Sequence, residues 1–256
     1  MTSPAGQLDG RTVLVTGGNR GIGLGMAEAC GRAGARLVLW GRDDERNAAA
    51  VDHLAAQGVD ARALGCDVTD PDAVADAFAR SVEAVGGRID AVFSNAGRGG
   101  TGTPFLDLPL AEWHEVLRTN LDGTFLTLQA AARHMVEQGG GSLVAVSSTS
   151  AIHGAVHNEA YGTSKTAVLG LVRALAVGLA RHSIRVNALL PGWTRTDMTE
   201  PGYQWDRFRE TTIGRTPVRR WAEPDELGPP AVFLADPALT FHTGDTVVVD
   251  GGYTVA

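Results

Sequence analysis

Apolar positions along the chain follow two alternating spacings. Short unbroken aliphatic runs such as residues 12–16 (TVLVT) read as strands buried on both faces, since a half-buried strand would alternate with polar residues. Further strands are read at 36–40, 89–94, 142–147, 185–190 and 246–249, and 61–66 is strand-like. Between them, helical spacing covers 21–33, closed by Gly34, and 43–57, ended by Gly58. Asp70 caps a helix that Pro71 opens, and others follow at 110–118, 120–137, 159–181 and 223–234. Residues 193–221 hold glycine, proline and aromatics without a period. This alternation over residues 1–256, with no repeat or linker, predicts one α/β domain: a doubly wound parallel sheet with helices on both faces.

Composition narrows the setting. The chain has 256 residues, 29 acidic against 22 basic, for a net charge of −7, which argues against nucleic acid or an anionic membrane as a partner. Hydrophobic residues at 44% and charged residues at 20% exclude intrinsic disorder. Cys30 and Cys66 form no CxxC, and the start MTSPAGQLDG has neither a basic nor an apolar segment, so a soluble cytoplasmic protein is expected. The most apolar stretch, 167–180, carries Arg173 and is too short to span a bilayer. Lys165 is the one lysine among the 22 basic residues.

Candidate chemistry begins directly after the first strand, at Thr16-Gly17-Gly18-Asn19-Arg20-Gly21-Ile22-Gly23. A glycine loop opening a helix lets backbone N–H groups approach a pyrophosphate at the positive helix end, where a Cβ would block the way. That placement makes the expected domain a Rossmann-type dinucleotide binder. Tyr161 and Lys165 share one face of the 159–181 helix, so phenol and ammonium reach one ligand. A phenol of pKa about 10 is a poor acid–base catalyst at neutral pH. A nearby ammonium and the positive ring of an oxidised nicotinamide would both favour the phenolate. Lysine, a compact charge with three donors, suits serving both a ribose hydroxyl and the tyrosine. Ser148 ends a predicted strand at the carboxyl edge, where open α/β sheets bind ligands. Its hydroxyl either caps the strand, a role that also fits Ser147, or binds a substrate carbonyl. Asn120 reads locally as a helix N-cap.

The GxxxGxG spacing resembles that of the short-chain dehydrogenase/reductase family, and the resemblance runs the length of the chain. It continues through Ser94-Asn95-Ala96-Gly97, the family's NNAG with Ser94 for the first Asn, and through YxxxK. It then takes in Pro191-Gly192-Trp193-Thr194-Arg195-Thr196, matching PGxxxT, and the terminal Asp250-Gly251-Gly252. The resemblance implies a catalytic tetrad of Asn120, Ser148, Tyr161 and Lys165, with Asn120 holding a water linked to the lysine. It also implies cofactor contacts from Gly17, Asn19, Arg20, Gly21, Ile22 and Gly23, from Asp67 and Val68 at the adenine, and from Asn95, Ala96 and Gly97. Tyr161, Lys165, Pro191, Gly192, Thr194 and Thr196, the last on the nicotinamide carboxamide, complete the set.

By family alignment Gly41 stands where NAD users carry a carboxylate, and Arg42 where NADP users bind phosphate, with Arg20 as a second contact. NADP is therefore the expected cofactor. NAD is the alternative, because Asp43 and Asp44 also lie about twenty residues past the glycines. The expected substrate contacts are Ser148, Ser150, His153, His157, Tyr161 and Trp193, and no metal is expected, since the histidines lack a carboxylate or HExxH pattern. A substrate lid is expected near 193–221.

The reading is an NADP(H)-dependent oxidoreductase acting on a ketone or secondary alcohol, with Tyr161 as general acid/base. A 3-oxoacyl-carrier-protein reductase is one alternative, although 135–141 (MVEQGGG) lacks the Lys or Arg such an acidic partner would meet. An NAD-dependent alcohol dehydrogenase is another, and a non-catalytic dinucleotide-binding regulator is a third. The family habit implies a homotetramer. The small-residue face Ala167, Gly170, Ala174 and Gly178 suits either helix pairing or burial on the sheet.

Overall fold

A computed structural model describes residues 6–256; the first five residues of the expected domain lie outside them. The strands are β1 Thr12–Thr16, β2 Arg36–Gly41, β3 Ala61–Gly65, β4 Ala91–Ser94, β5 Gly141–Val146, β6 Ile184–Pro191 and β7 Thr246–Val249. They form one parallel sheet in the order β3-β2-β1-β4-β5-β6-β7. The chain winds outward in opposite directions from β1 and β4. Their neighbouring crossovers diverge there, which leaves a crevice above the carboxyl ends.

Helices cover both faces, as the unbroken apolar strands require. On one side α1 Gly21–Arg32, α2 Asp44–Ala55 and α9 Gly228–Ala235 pack on Val13, Val15, Leu37 and Leu39. On the other, α3 Pro71–Ala84, α5 Gly123–Gln138 and α6 Glu159–Leu179 pack on Leu14, Val38, Trp40 and Val92. Asp70 caps α3 by accepting from the backbone N–H groups of Asp72 and Ala73, beside Pro71. Asp43 caps α2 by accepting from the Arg46 N–H at 3.0 Å, so it is a helix-terminal residue.

Two expectations are corrected. Asn120 does not open a helix: α4 Leu110–Leu117 runs into a π-helical turn, Arg118–Asp122, and on into α5. Residues 193–221 are not irregular throughout but carry α7 Glu200–Gln204 and α8 Asp206–Arg215, both too short to show a period. The helical segment Glu159–His182 as a whole is long and apolar enough to cross a membrane, which 167–180 alone was not expected to be. In this fold α6 lies against β6, burying the stripe Ala160, Ser164, Lys165, Val168, Val172 and Ala176.

Trp40 ties β2 to the opposite layer. Fully buried, it packs edge-on against Phe78 of α3, and its indole N–H donates to Ser81 Oγ at 2.9 Å. Replacing Ser81 by Ala should cost about 1–3 kcal/mol, because a buried N–H loses its partner. Urea denaturation reads this as a lower midpoint at unchanged slope; an unshifted midpoint would show that Trp40 finds another acceptor.

Candidate active site

The glycine loop leaves β1 at Thr16 and enters α1 at Gly21. Gly17 has φ +62°, which disfavours a side chain, and a Cβ on Gly23 would fall against the Gly17 carbonyl oxygen. No side chain caps the start of α1, so its first N–H groups are left for a ligand. Asn95, just past β4, fixes the loop from below. Its Nδ2 donates to the Thr16 and Gly17 carbonyls at 2.9 and 3.3 Å, while the N–H groups of Asn95 and Ala96 donate to Thr16 Oγ1.

A cleft of about 880 Å³ runs from this loop across the sheet's carboxyl edge. Every residue expected to touch dinucleotide, from Gly17 to Thr196, lines it. At one end a Cβ on Gly41 would collide with the Asn19 and Asn47 carboxamides. These two are themselves joined, Asn19 Nδ2 donating to Asn47 Oδ1 at 2.8 Å, and Asn47 Nδ2 donates to the Gly41 carbonyl at 3.0 Å. A side chain at this position would have to displace this hydrogen-bonded pair. Arg20, Arg42 and Arg46 line the same end; Arg20 and Arg46 pair with Asp197 at 3.0 and 3.1 Å, and Arg42 lies 3.8 Å from Asp67. The sequence reading missed Arg46 and Asp197. Arg46 had a signal, one helical turn after Arg42; its pairing with Asp197, 151 residues away, had none.

Midway along the cleft Ser148, Tyr161 and Lys165 share one wall. Ser147 ties the strand end down, donating from Oγ to the Lys165 carbonyl at 2.7 Å; Ser148 lines the cleft and also caps the following turn, its Oγ accepting from the Ser150 N–H at 3.1 Å. Lys165 Nζ donates to the Val146 carbonyl at 2.9 Å and sits 5.7 Å from the Tyr161 ring centre. Burial lowers the ammonium from 10.5 to about 8. Burial also raises the Tyr161 phenol, with the Ser148 hydroxyl working the other way. In the chain alone, then, the phenol is not pulled down as the sequence suggested, because desolvation outweighs the neighbouring hydroxyl.

Asn120 is fully buried and stands behind the cleft wall; its neighbour Thr119 lines it. Its Oδ1 accepts from the Arg98 N–H at 2.8 Å, and its Nδ2 donates to the Arg98 carbonyl and to Ser164 Oγ. The π turn aims the carboxamide inward in a way an N-cap would not. Gly97 keeps a gap open between Asn120 and the lysine: a Cβ on it would lie 3.2 Å from Asn120 Oδ1 and 3.5 Å from Lys165 Nζ.

His153 and His157 do not line the cleft. The turn leading into α6 exposes His157, while His153 is partly buried and its Nε2 has no partner among the described residues. His153 packs on Tyr253, with ring centres 5.3 Å apart, and exposed His157 has φ +59°. Ser150 and Trp193 do line it, joined by Asn158, Met198 and Phe208, which the sequence reading did not place there. Asn158 had a signal in its position three residues before Tyr161. Both cysteine thiols are pushed up to about 12 by burial, so neither is a nucleophile near neutral pH.

A family model described as Enoyl-(Acyl carrier protein) reductase matches residues 17–254. The L-rhamnose 1-dehydrogenase (NAD(P)(+)) of Azotobacter vinelandii is 40% identical over 253 residues, covering 96% of this chain and 97% of that protein. A short-chain type dehydrogenase/reductase from Mycobacterium marinum superposes with a TM-score of 0.92 at 37% identity, covering 97% of each chain. The chain belongs to the short-chain dehydrogenase/reductase family. A gluconate 5-dehydrogenase of Burkholderia cenocepacia, solved with NADP and tartrate, superposes with a TM-score of 0.92 at 35% identity over 97% of each chain. Like its relatives, this short-chain dehydrogenase/reductase is an NAD(P)-dependent oxidoreductase acting on CH–OH groups.

Burying the ammonium has a thermodynamic sign. Lowering it from 10.5 to about 8 costs the fold about 3 kcal/mol below pH 8, and the cost shrinks as pH rises towards 10.5. Replacing Lys165 by Met removes that cost and leaves the Val146 carbonyl without its donor, an offset of about 1 kcal/mol. The variant should lose turnover yet melt several degrees higher near neutral pH. Calorimetry near pH 10 should find most of the gain gone; an equal gain at both pH values would trace it to something other than the charge.

Proposed function

We propose that this enzyme uses NADP(H) to interconvert a hydroxylated ketone and its secondary alcohol, in the cytoplasm and as a homotetramer. The observation that carries the reading is the convergence of Ser148, Tyr161 and Lys165 on one wall of a cleft continuous with the glycine loop. The cradle fits a dinucleotide: Gly17 and Gly23 leave the backbone bare where phosphate approaches, and unpaired N–H groups start α1. At the ribose end, a glycine in place of a carboxylate stands beside the guanidiniums of Arg20, Arg42 and Arg46, two of them also paired with Asp197, a donor set that suits a 2′-phosphate.

Ser148 and Tyr161 hold the carbonyl oxygen, and Tyr161 gives it a proton in reduction or takes one in oxidation. Nicotinamide supplies or accepts the hydride when bound. Burial keeps the Tyr161 phenol protonated in the chain alone, the form that reduction needs. Lys165 carries donors for a ribose hydroxyl, and Asn120 orders the polypeptide behind it. A regulator that only sensed dinucleotide would need neither Ser148 nor Tyr161.

Relatives named for L-rhamnose and gluconate favour a hydroxylated substrate. Residues 193–221 serve as the lid, with Met198 and Phe208 over the cleft. Exposed Leu110, Phe125 and Val177 on one side, and Phe233, Phe241 and Val248 near β7, support burial against further copies. Gly170, Ala174 and Gly178 face outward, which favours helix pairing over burial on the sheet.

Two outcomes test this reading. Tyr161→Phe should lower reductive kcat by about 100-fold or more while the dissociation constant for NADPH, read by fluorescence, moves less than about twofold. Retained turnover would remove the phenol from the mechanism. Replacing Arg42 and Arg46 together by Ala should weaken NADPH binding about tenfold or more and leave NADH binding nearly unchanged. Equal losses for both cofactors would place the phosphate elsewhere.

A further inference from the structure

The substrate end of the cleft is built differently from the dinucleotide end. We infer that its ligand is an uncharged polyol, sugar or hydroxyketone, and that analogues bearing a carboxylate are rejected for want of a countercharge. This rests on the function proposed above and names the substrate class of the same site.

Apart from Lys165, the charged side chains on the cleft wall are Arg20, Arg42, Asp43, Arg46, Asp67 and Asp197. The first five belong to the glycine loop, the tips of β2 and β3 and, for Arg46, the first turn of α2, and Asp197 is bound to two of them. The Lys165 ammonium is buried, and Val146 already accepts from it. Beyond Tyr161 the lining includes Ser150, Asn158, Trp193, Met198 and Phe208, with Gly99 against Met198 and Gly100 against Asn158. Cations close by in sequence are committed elsewhere: Arg98 pairs with Glu115 at 2.6 Å, and Arg209 with Asp206 at 2.6 Å. A carboxylate entering this end would lose hydration and meet no positive partner.

What the wall does offer suits hydroxyl groups on one side and carbon on the other. Asn158 Oδ1 accepts from the Gly100 N–H at 3.0 Å, which fixes the carboxamide and leaves its Nδ2 donors without a protein acceptor among the described residues. The Ser150 hydroxyl stands beside it on the wall. On the same cleft the Trp193 ring stacks on Trp221 at 5.0 Å and meets Phe208 edge-on at 5.0 Å, and its buried indole N–H has no acceptor among the described residues. Such a pinned aromatic face matches the C–H face of a sugar or carbocycle. Met198, half-exposed on the lining, adds an apolar group and no charge.

Matched pairs that differ by a single carboxylate test the inference with the cofactor-loaded enzyme. L-Sorbose is compared with 5-keto-D-gluconate, D-sorbitol with D-gluconate, and cyclohexanone with 4-oxocyclohexanecarboxylate. The expected result is a kcat/KM at least about 100-fold higher for the uncharged member of each pair that reacts. Met198→Arg, at a half-exposed position on the wall, should then raise the charged member about tenfold or more relative to its neutral partner. Pairs that react within threefold of each other would overturn the inference and leave the oxidoreductase reading standing. An unchanged ratio in the Met198 variant would overturn it too. Failure to reduce any carbonyl with NADPH or NADH would sink both.

Discussion

The site depends on a staple between two strand ends. β1 and β4 are neighbours in the sheet, but the connections leaving them turn opposite ways, so nothing in the sheet ladder holds their tips in register above the last paired residues. The buried Thr16 hydroxyl accepts from two consecutive N–H groups, and the Asn95 carboxamide reaches back to the Thr16 and Gly17 carbonyls. Each bond is worth about 1 kcal/mol, and together they hold a loop whose glycines would otherwise be its loosest part. The shape of the phosphate cradle and the floor of the cleft both follow from that staple.

A second constraint opposes stability. Tyr161 and Lys165 must be dry to act on a ligand, and dryness raises the phenol and lowers the ammonium, in each case favouring the neutral form. The chain offsets this only in part, through the Val146 carbonyl and the Ser148 hydroxyl. Lowering the phenol below its ordinary value therefore requires positive charge that the polypeptide itself does not bring. The dinucleotide and the catalytic pair are in this sense one electrostatic unit.

Much of this was legible in the sequence where local rules govern. Aliphatic-rich runs located the strands, though the half-exposed β3 was only strand-like, and Asp70-Pro71 and Asp43 marked helix starts, because capping and burial leave signatures within a few residues. Misreadings arose where the deciding partner is distant. Asn120 has the composition of an N-cap, yet Arg98 and Ser164 draw it into a π turn. His153 and His157 sit four apart, which suggests a shared face only on a helix, and they lie in an irregular turn. The aromatics of 193–221 show no period because they pack on one another across α7 and α8 rather than along one element. Asp197 meets Arg20 and Arg46 across spans that no pattern rule covers.

The solitary lysine has a practical corollary. Every other basic side chain except histidine is a guanidinium, so the outer surface offers no side-chain amine to acylating reagents, cross-linkers or modifying enzymes. Isotope labelling of lysine would give a spectrum with a single side-chain ammonium resonance, and it would come from the wall of the cleft. The protein thus carries a built-in reporter whose environment changes only when the cleft does.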